Sequence, residues 1–174
     1  IAGNRVEQVP TDVVNSIREL LDEVAARLGP DLQCLQSAAL VTQRSSLVCW
    51  HRQTGRPLSQ VISWQDTRAA AYLADIKLDP ATIADLTGLR PNAHYGASKL
   101  RWCMEHIPAV SEAMDTDQLL CGPLASYLLS AITREHSVAV DPGNAQRTLL
   151  WNIHHGDWDE TLLRQFAIPR SVLP

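Results

Sequence analysis

The sequence predicts an α/β domain with a mixed sheet and flanking helices. Helix-period and strand-period stretches interleave along the 174 residues. Two or three of the strand-like runs lie close enough to be linked as hairpins. No internal repeat, low-complexity stretch or linker divides the chain. Interleaved helices and strands are the pattern of a sheet covered by helices, and this length suffices for one domain with a sizeable core.

Pro10-Thr11-Asp12 starts the first helix. Behind it Val13, Val14, Ile17, Leu20, Leu21, Val24 and Leu28 recur at helical spacing until Gly29-Pro30 stops the run. The period then changes. Residues 35–42 and 47–50 read as strands, Thr54-Gly55 as a turn, and 58–63 as a third strand. Asp66 is placed to cap a helix through Ala69, Ala70, Ala71 and Leu73. Residues 80–86 read as a short helix closed by Gly88, and 98–106 as another that ends near Pro108. Residues 119–121 form a short strand, and 123–132 an apolar helix whose proline sits in the first turn. Residues 149–153 are a strand and 159–166 a last helix.

Hydrophobic residues make up 45% of the chain and charged ones 20%, the balance of a soluble globular protein. The net charge of -4, with no basic tract, argues against a nucleic-acid partner. No apolar run approaches the ~18–20 residues of a membrane span, so no membrane partner is expected. Ile1-Ala2-Gly3-Asn4-Arg5 lacks the charged-then-apolar order of a signal peptide. Cys34, Cys49, Cys103 and Cys121 make no CxxC pair and stand in apolar contexts. They read as buried free thiols of a reducing compartment, hence a cytoplasmic protein. Both ends read as cut, one at Ile1 without an initiator Met, the other at Pro174 straight after a short helix.

Two runs place donor-rich side chains at strand ends. Gln43 and Arg44 follow Ala38-Ala39-Leu40-Val41. Arg44 is either a donor to ligand hydroxyls or a surface arginine paired with an Asp. Trp64 and Asp66 end the third strand. They are either an indole face and an acceptor for a polyol, or a half-buried Trp and a helix cap. Together, on neighbouring strands, the two pairs would converge at one sheet end. His94-Tyr95, on the loop after Gly88-Leu89-Arg90-Pro91, could reach over such a pocket or close a helix end. His154-His155-Gly156-Asp157 fits no closed zinc pattern and reads as a turn, so no metal ligands are expected. Cys49 and His51 share a strand face, but Val48 and Trp50 around Cys49 indicate a core thiol. Gly88 and Gly96 are the closest pair of glycines, so no G-x-G or Walker-type phosphate loop exists.

Val41-Thr42-Gln43-Arg44, Ser63-Trp64-Gln65-Asp66-Thr67-Arg68 and Lys99-Leu100-Arg101-Trp102 with Glu105-His106 occur in this order. Arg5-Val6-Glu7-Gln8 precedes them. Asn144 to Ile153, Asp157-Trp158-Asp159 and the closing Ile168 to Pro174 follow. In that order they resemble the FGGY carbohydrate kinases, above all the glycerol kinases. The resemblance implies an incomplete ribonuclease H-like domain of the actin and hexokinase type. Residues 1–174 would be part of the first, substrate-side domain, without its opening phosphate-loop hairpin and without the second, ATP-binding domain.

The resemblance further implies transfer of the ATP γ-phosphoryl group to a hydroxyl of glycerol or a related polyol or ketose, with Mg²⁺ in the complete enzyme. Arg44 maps to a substrate-binding Arg and Trp64 to a substrate-packing Trp. Gln43, Asp66 and His94 or Tyr95 would tune which substrate fits. The family's catalytic Asp would lie beyond Pro174, so this chain alone is expected to bind neither ATP nor Mg²⁺ and to be inactive. A small polyol or sugar is the expected partner, and family kinases often form homo-oligomers. Glycerol kinases carry a Glu where this chain has Ser45, and a substrate-binding Tyr where it has His94. These departures favour one rival, a degenerate, non-catalytic module that binds a sugar or a protein.

Overall fold

The computed structural model describes residues 3–174; Ile1 and Ala2, which open the segment read as leaderless, lie outside the described residues. The chain runs β1 (Glu7–Gln8), α1 (Pro10–Leu28), β2 (Leu47–His51), β3 (Val61–Ile62), α2 (Pro80–Thr87), α3 (Gly96–His106) and α4 (Pro108–Asp115). It continues with β4 (Leu119–Pro123), α5 (Leu124–Ile132), α6 (Pro142–Gln146), β5 (Trp151–Asn152), β6 (Asp157–Trp158) and α7 (Glu160–Phe166). Four strands form one sheet in the order β1-β3-β2-β4, and β5 and β6 form a separate hairpin.

Strand β2 is the centre of the fold because both its faces are apolar. Successive side chains of a strand point to opposite faces. Leu47 and Cys49 face one core, shared with Leu100 and Cys103 of α3, Val110 of α4 and Phe166 of α7. Val48 and Trp50 face a second core with Val14 of α1 and Leu124, Tyr127 and Leu128 of α5. Helices therefore cover both sheet faces. Each apolar side chain so buried stabilises the fold by roughly 1.5–3 kcal/mol relative to exposure.

Three expectations change. The sheet was expected to be mixed, but every strand pairing among the described residues is antiparallel. Strands β1 and β2 do run parallel to each other, yet β3 lies between them and pairs with both. Residues 35–42, expected as a strand, form an exposed irregular segment after a 3₁₀ helix at Gly29–Cys34. A strand there needs a backbone partner, and both edges of β2 are taken by β3 and β4. The helix expected from Asp66 is a 3₁₀ turn at Ala70–Asp75 with Ala69 at its cap.

Two helices escaped the sequence reading. Ile107 ends α3 and also caps α4, so Pro108 starts a helix as well as following one. Helix α6 is five residues long and is capped by the Asp141 carboxylate, which accepts from Asn144 N–H. Gly88 closes α2 in the left-handed conformation, as its position suggested. Of the cysteines, Cys49, Cys103 and Cys121 are buried, but Cys34 is exposed.

Candidate acceptor site

The register Leu47↔Ile62 puts the start of β2 and the end of β3 at one end of the sheet. Ser45 and Ser46 enter there, and Ser63 and Trp64 leave there. A side-chain bond joins the two segments, as Trp64 N–H donates to Ser46 Oγ at 3.1 Å. Ser46 and Ser63 are buried, whereas Trp64 stays 42% exposed, so the indole sits on a braced stalk with a free face.

The loop before α3 meets this end through a buried lysine. Lys99 lies one turn into α3 and is fully buried. Its ammonium donates to the carbonyl oxygens of Ser63 at 2.9 Å, Trp64 at 3.2 Å and His94 at 2.9 Å. Three donors thus meet three acceptors, the condition under which a buried ammonium is tolerated. Burial pushes its pKa down to about 8, against the pull of the Asp66 carboxylate. His94 Nδ1 lies 3.0 Å from the same Trp64 oxygen. Facing a carbonyl, that nitrogen donates, which leaves Nε2 of the neutral ring as an acceptor. The His94 and Trp64 rings lie 5.7 Å apart, both open to solvent.

A fourth segment closes the group. Gly96 N–H donates to the Arg147 carbonyl at 3.2 Å, and Ala97 N–H to Thr148 at 2.7 Å. This contact requires glycine, because a Cβ on Gly96 would stand 3.0 Å from Thr148 Cα. The Arg147 guanidinium lies 4.9 Å from the Tyr95 ring centroid and donates from Nε to Ser45 Oγ at 3.3 Å. Ser45 itself is left-handed, with φ 65°.

Of the expected site residues, the structure gathers Trp64, His94 and Tyr95, with Arg44 one residue before Ser45. Arg44 is exposed and has no carboxylate or hydrogen-bond acceptor in reach among the described residues. Gln43 turns to another partner, donating from Nε2 to Gln8 Oε1 at 2.5 Å beside an apolar groove of about 760 Å³ between α1 and α5.

Asp66 departs from both its expected roles. It caps no helix, and it is fully buried. One oxygen accepts from Val6 N–H at 2.7 Å, and both accept from the Arg68 side chain at 2.6–3.1 Å. Burial alone would raise its pKa, but the hydrogen bonds from Arg68 and Val6 hold it below the usual carboxylate range. Arg68 also pairs with Glu7 at 2.7 Å, so Asp66 braces β1 against the end of β3 and has no lone pair turned to a ligand.

The wider concavities lie elsewhere. One of about 770 Å³ runs beside residues 74–78, Arg101 and α7. The group of Trp64, His94 and Arg147 is an open face instead. The histidines at 154 and 155 form the expected turn, with both N–H groups on Asn152 Oδ1. Among the described residues no set of three His, Cys, Asp or Glu side chains is placed to hold a metal ion. His51 Nδ1 accepts from Gln53 and Thr54 N–H and makes no pair with Cys49.

Sequence reasoning left Ser46, Lys99 and Arg147 without roles. A signal existed for Lys99: it shares a helix face with Leu100 and Cys103, where a charge has no place without buried acceptors.

The profile of the FGGY family of carbohydrate kinases, N-terminal domain, matches residues 2–174. A glycerol kinase of Shewanella amazonensis is 35% identical over 175 aligned positions, covering 99% of this chain and 35% of the relative. A glycerol kinase of Bradyrhizobium is 34% identical over the same span. The chain thus spans about a third of the length of these curated relatives. Among solved structures, Plasmodium falciparum glycerol kinase with ADP superposes with a TM-score of 0.85 at 26% identity, covering all of this chain and 35% of that one. The xylulose kinase of Rhodospirillum rubrum superposes at 0.80 with 20% identity, over 98% of this chain and 35% of its own length, which shows the shared fold. The ribonuclease H-like fold expected from the motifs is therefore borne out, and the sheet end that carries Trp64, His94 and Arg147 belongs to a member of the FGGY family of carbohydrate kinases.

Proposed function

We propose that this chain is the acceptor-holding part of an ATP-dependent kinase that phosphorylates a hydroxyl of glycerol or a related polyol or ketose. The observation that carries the proposal is the Lys99 clamp, which fixes the exposed Trp64 indole beside His94 at the sheet end where Arg44 presents free donors. The glycerol kinase and xylulose kinase relatives support the acceptor class.

In this reading the indole packs on the carbon face of the acceptor. Arg44 donates to hydroxyl oxygens, and His94 Nε2 accepts a hydrogen bond from a hydroxyl. Holding the acceptor in one pose converts an encounter into an oriented reaction, and positioning supplies much of the catalysis in phosphoryl transfer. The residues of this chain do not fit the nucleotide. Its closest glycines, Gly88 and Gly96, cannot form a phosphate cradle. The nucleotide site, its Mg²⁺ and the base that takes the acceptor proton belong to parts of the enzyme outside residues 1–174. The chain would form part of the first domain, lacking the opening phosphate-loop hairpin and the second domain, and would be inactive alone. The complete enzyme would work in the cytoplasm and is compatible with a homo-oligomer.

The test is ADP release by the full-length enzyme with glycerol, erythritol, xylulose and ribulose. Turnover of one of them is expected, and Arg44→Ala should raise KM for that acceptor far more than KM for ATP. Equal effects on both constants would remove Arg44 from the acceptor site. Binding without any turnover would favour the non-catalytic module.

A further inference from the structure

We infer that the acceptor of this site carries a carboxylate: a sugar acid of the aldonate class rather than a neutral polyol. This rests on the kinase reading above and narrows its substrate.

The argument is one of charge and geometry. Four cations stand around the sheet end: Arg44, Arg68, Lys99 and Arg147. The carboxylates beside them are Asp66 and Glu7, and both are taken by Arg68. Lys99 is satisfied by three carbonyls. Arg44 and Arg147 remain, with no carboxylate within 4 Å among the described residues.

Arg147 is the more telling of the two because it is half-buried and held in place. Its Nε is tied to Ser45 Oγ, and its plane is supported by the Tyr95 ring. Its two terminal nitrogens make no hydrogen bond to the described residues. A guanidinium fixed at Nε with both Nη groups open is a planar fork matched to a carboxylate. Among the described residues, a neutral polyol would leave that partly desolvated charge without a counter-ion. A carboxylate supplies one, while the remaining hydroxyls of an aldonate meet Arg44, His94 and the Trp64 face. Ser45 is what leaves the place open: it is small, uncharged and buried against Arg147.

Calorimetry on the full-length enzyme with two matched pairs tests this: glycerate against glycerol, and gluconate against glucitol, whose members differ only at the carboxyl carbon. In at least one pair the acid should bind about tenfold tighter or more, and the preference should shrink as salt rises. Ser45→Asp puts a carboxylate beside Arg147 in a residue type that tolerates the left-handed backbone. Arg147→Gln removes the charge without touching Ser45. Each should bring the acid-to-polyol affinity ratio to about one. If the neutral member binds as well or better in both pairs, while any polyol is turned over, the inference falls and the kinase reading stands. If a polyol phosphate outcompetes both acids, the carboxylate assignment falls too. If neither acids nor polyols bind or turn over, both readings fall together.

Discussion

Trp64 and His94, thirty residues apart in sequence, are joined by a hydrogen bond from the His94 ring to the Trp64 backbone carbonyl. The same oxygen accepts from Lys99, which also holds the His94 carbonyl. The two side chains that would form the walls of the acceptor site are thus tied through backbone carbonyls, the His94 ring at Nδ1, while the Trp64 indole face stays open to a ligand.

Lys99→Met should therefore loosen both walls at once. It leaves three carbonyls without their donor, and loss of about 2–4 kcal/mol of stability is expected from such orphaned buried acceptors. Urea denaturation at pH 7 measures it. The pH dependence has a definite sign. The folded protein holds the Lys99 proton with a pKa of about 8, below the ordinary 10.5, so between those values the unfolded chain binds more protons. Stability contributed by this group should rise with pH from about 8 to about 10.5. Lys99→Met should lack that slope, and an identical slope in both proteins would show that Lys99 does not titrate in this window.

The Asp66–Arg68 pair predicts a slope of the same sign in an acidic window. Asp66 is held below the carboxylate range in the folded state, so its contribution is fully present above the unfolded value of about 3.9 and is lost as pH falls through the folded pKa. Asp66→Asn should cost about 3 kcal/mol at neutral pH by leaving Arg68 short of its buried counter-ion. The same variant should show a flatter loss of stability in acid. Chemical denaturation at pH 7 and pH 3 separates the two effects.

Gly96→Ala tests the packing that brings Arg147 to Tyr95. The added methyl meets backbone at Thr148 rather than a yielding side chain, so a strain of about 1–3 kcal/mol and a fall in Tm of roughly 3–10 °C are expected. Calorimetry provides the number, and an unchanged Tm would mean that the α3 and Thr148 backbones separate at little cost.

Thiol labelling gives a check on the core. With Cys34 exposed and the other three cysteines buried, one thiol should react quickly in the native protein and four after denaturation. Ellman's reagent counts them. Two or more fast thiols would show that the β2–β4 face opens readily.

Much of this architecture could be read from residues in order. The helical spacing from Val13 to Leu28 marked α1, Gly88 marked the end of α2, and residues 47–50 were legible as the strand that becomes β2. The strand expected at 35–42 failed because an apolar run does not supply a pairing partner, and both edges of β2 are already occupied. Asp66 was misassigned because its partner, Arg68, is near in sequence while the reason for their burial, Val6 and Glu7, is sixty residues away. The candidate acceptor site was half legible. Trp64 and Arg44 stood out as unusual side chains at strand ends. Ser46 and Arg147 act through contacts 18 and 102 residues away, and Lys99, although its buried helix face marks it, reaches carbonyls 35 and 36 residues away that local spacing does not name.

Of the five tryptophans, Trp50, Trp151 and Trp158 are buried, and Trp102 is covered by the His106 ring and the Arg68 guanidinium. Trp64 alone offers an open indole face, so the chain carries its own optical reporter. Iodide or acrylamide should quench the emission from this one residue first, and an acceptor lying on its ring should shield it without any added dye. Occupancy of the site can thus be followed by light even in a polypeptide that completes no reaction.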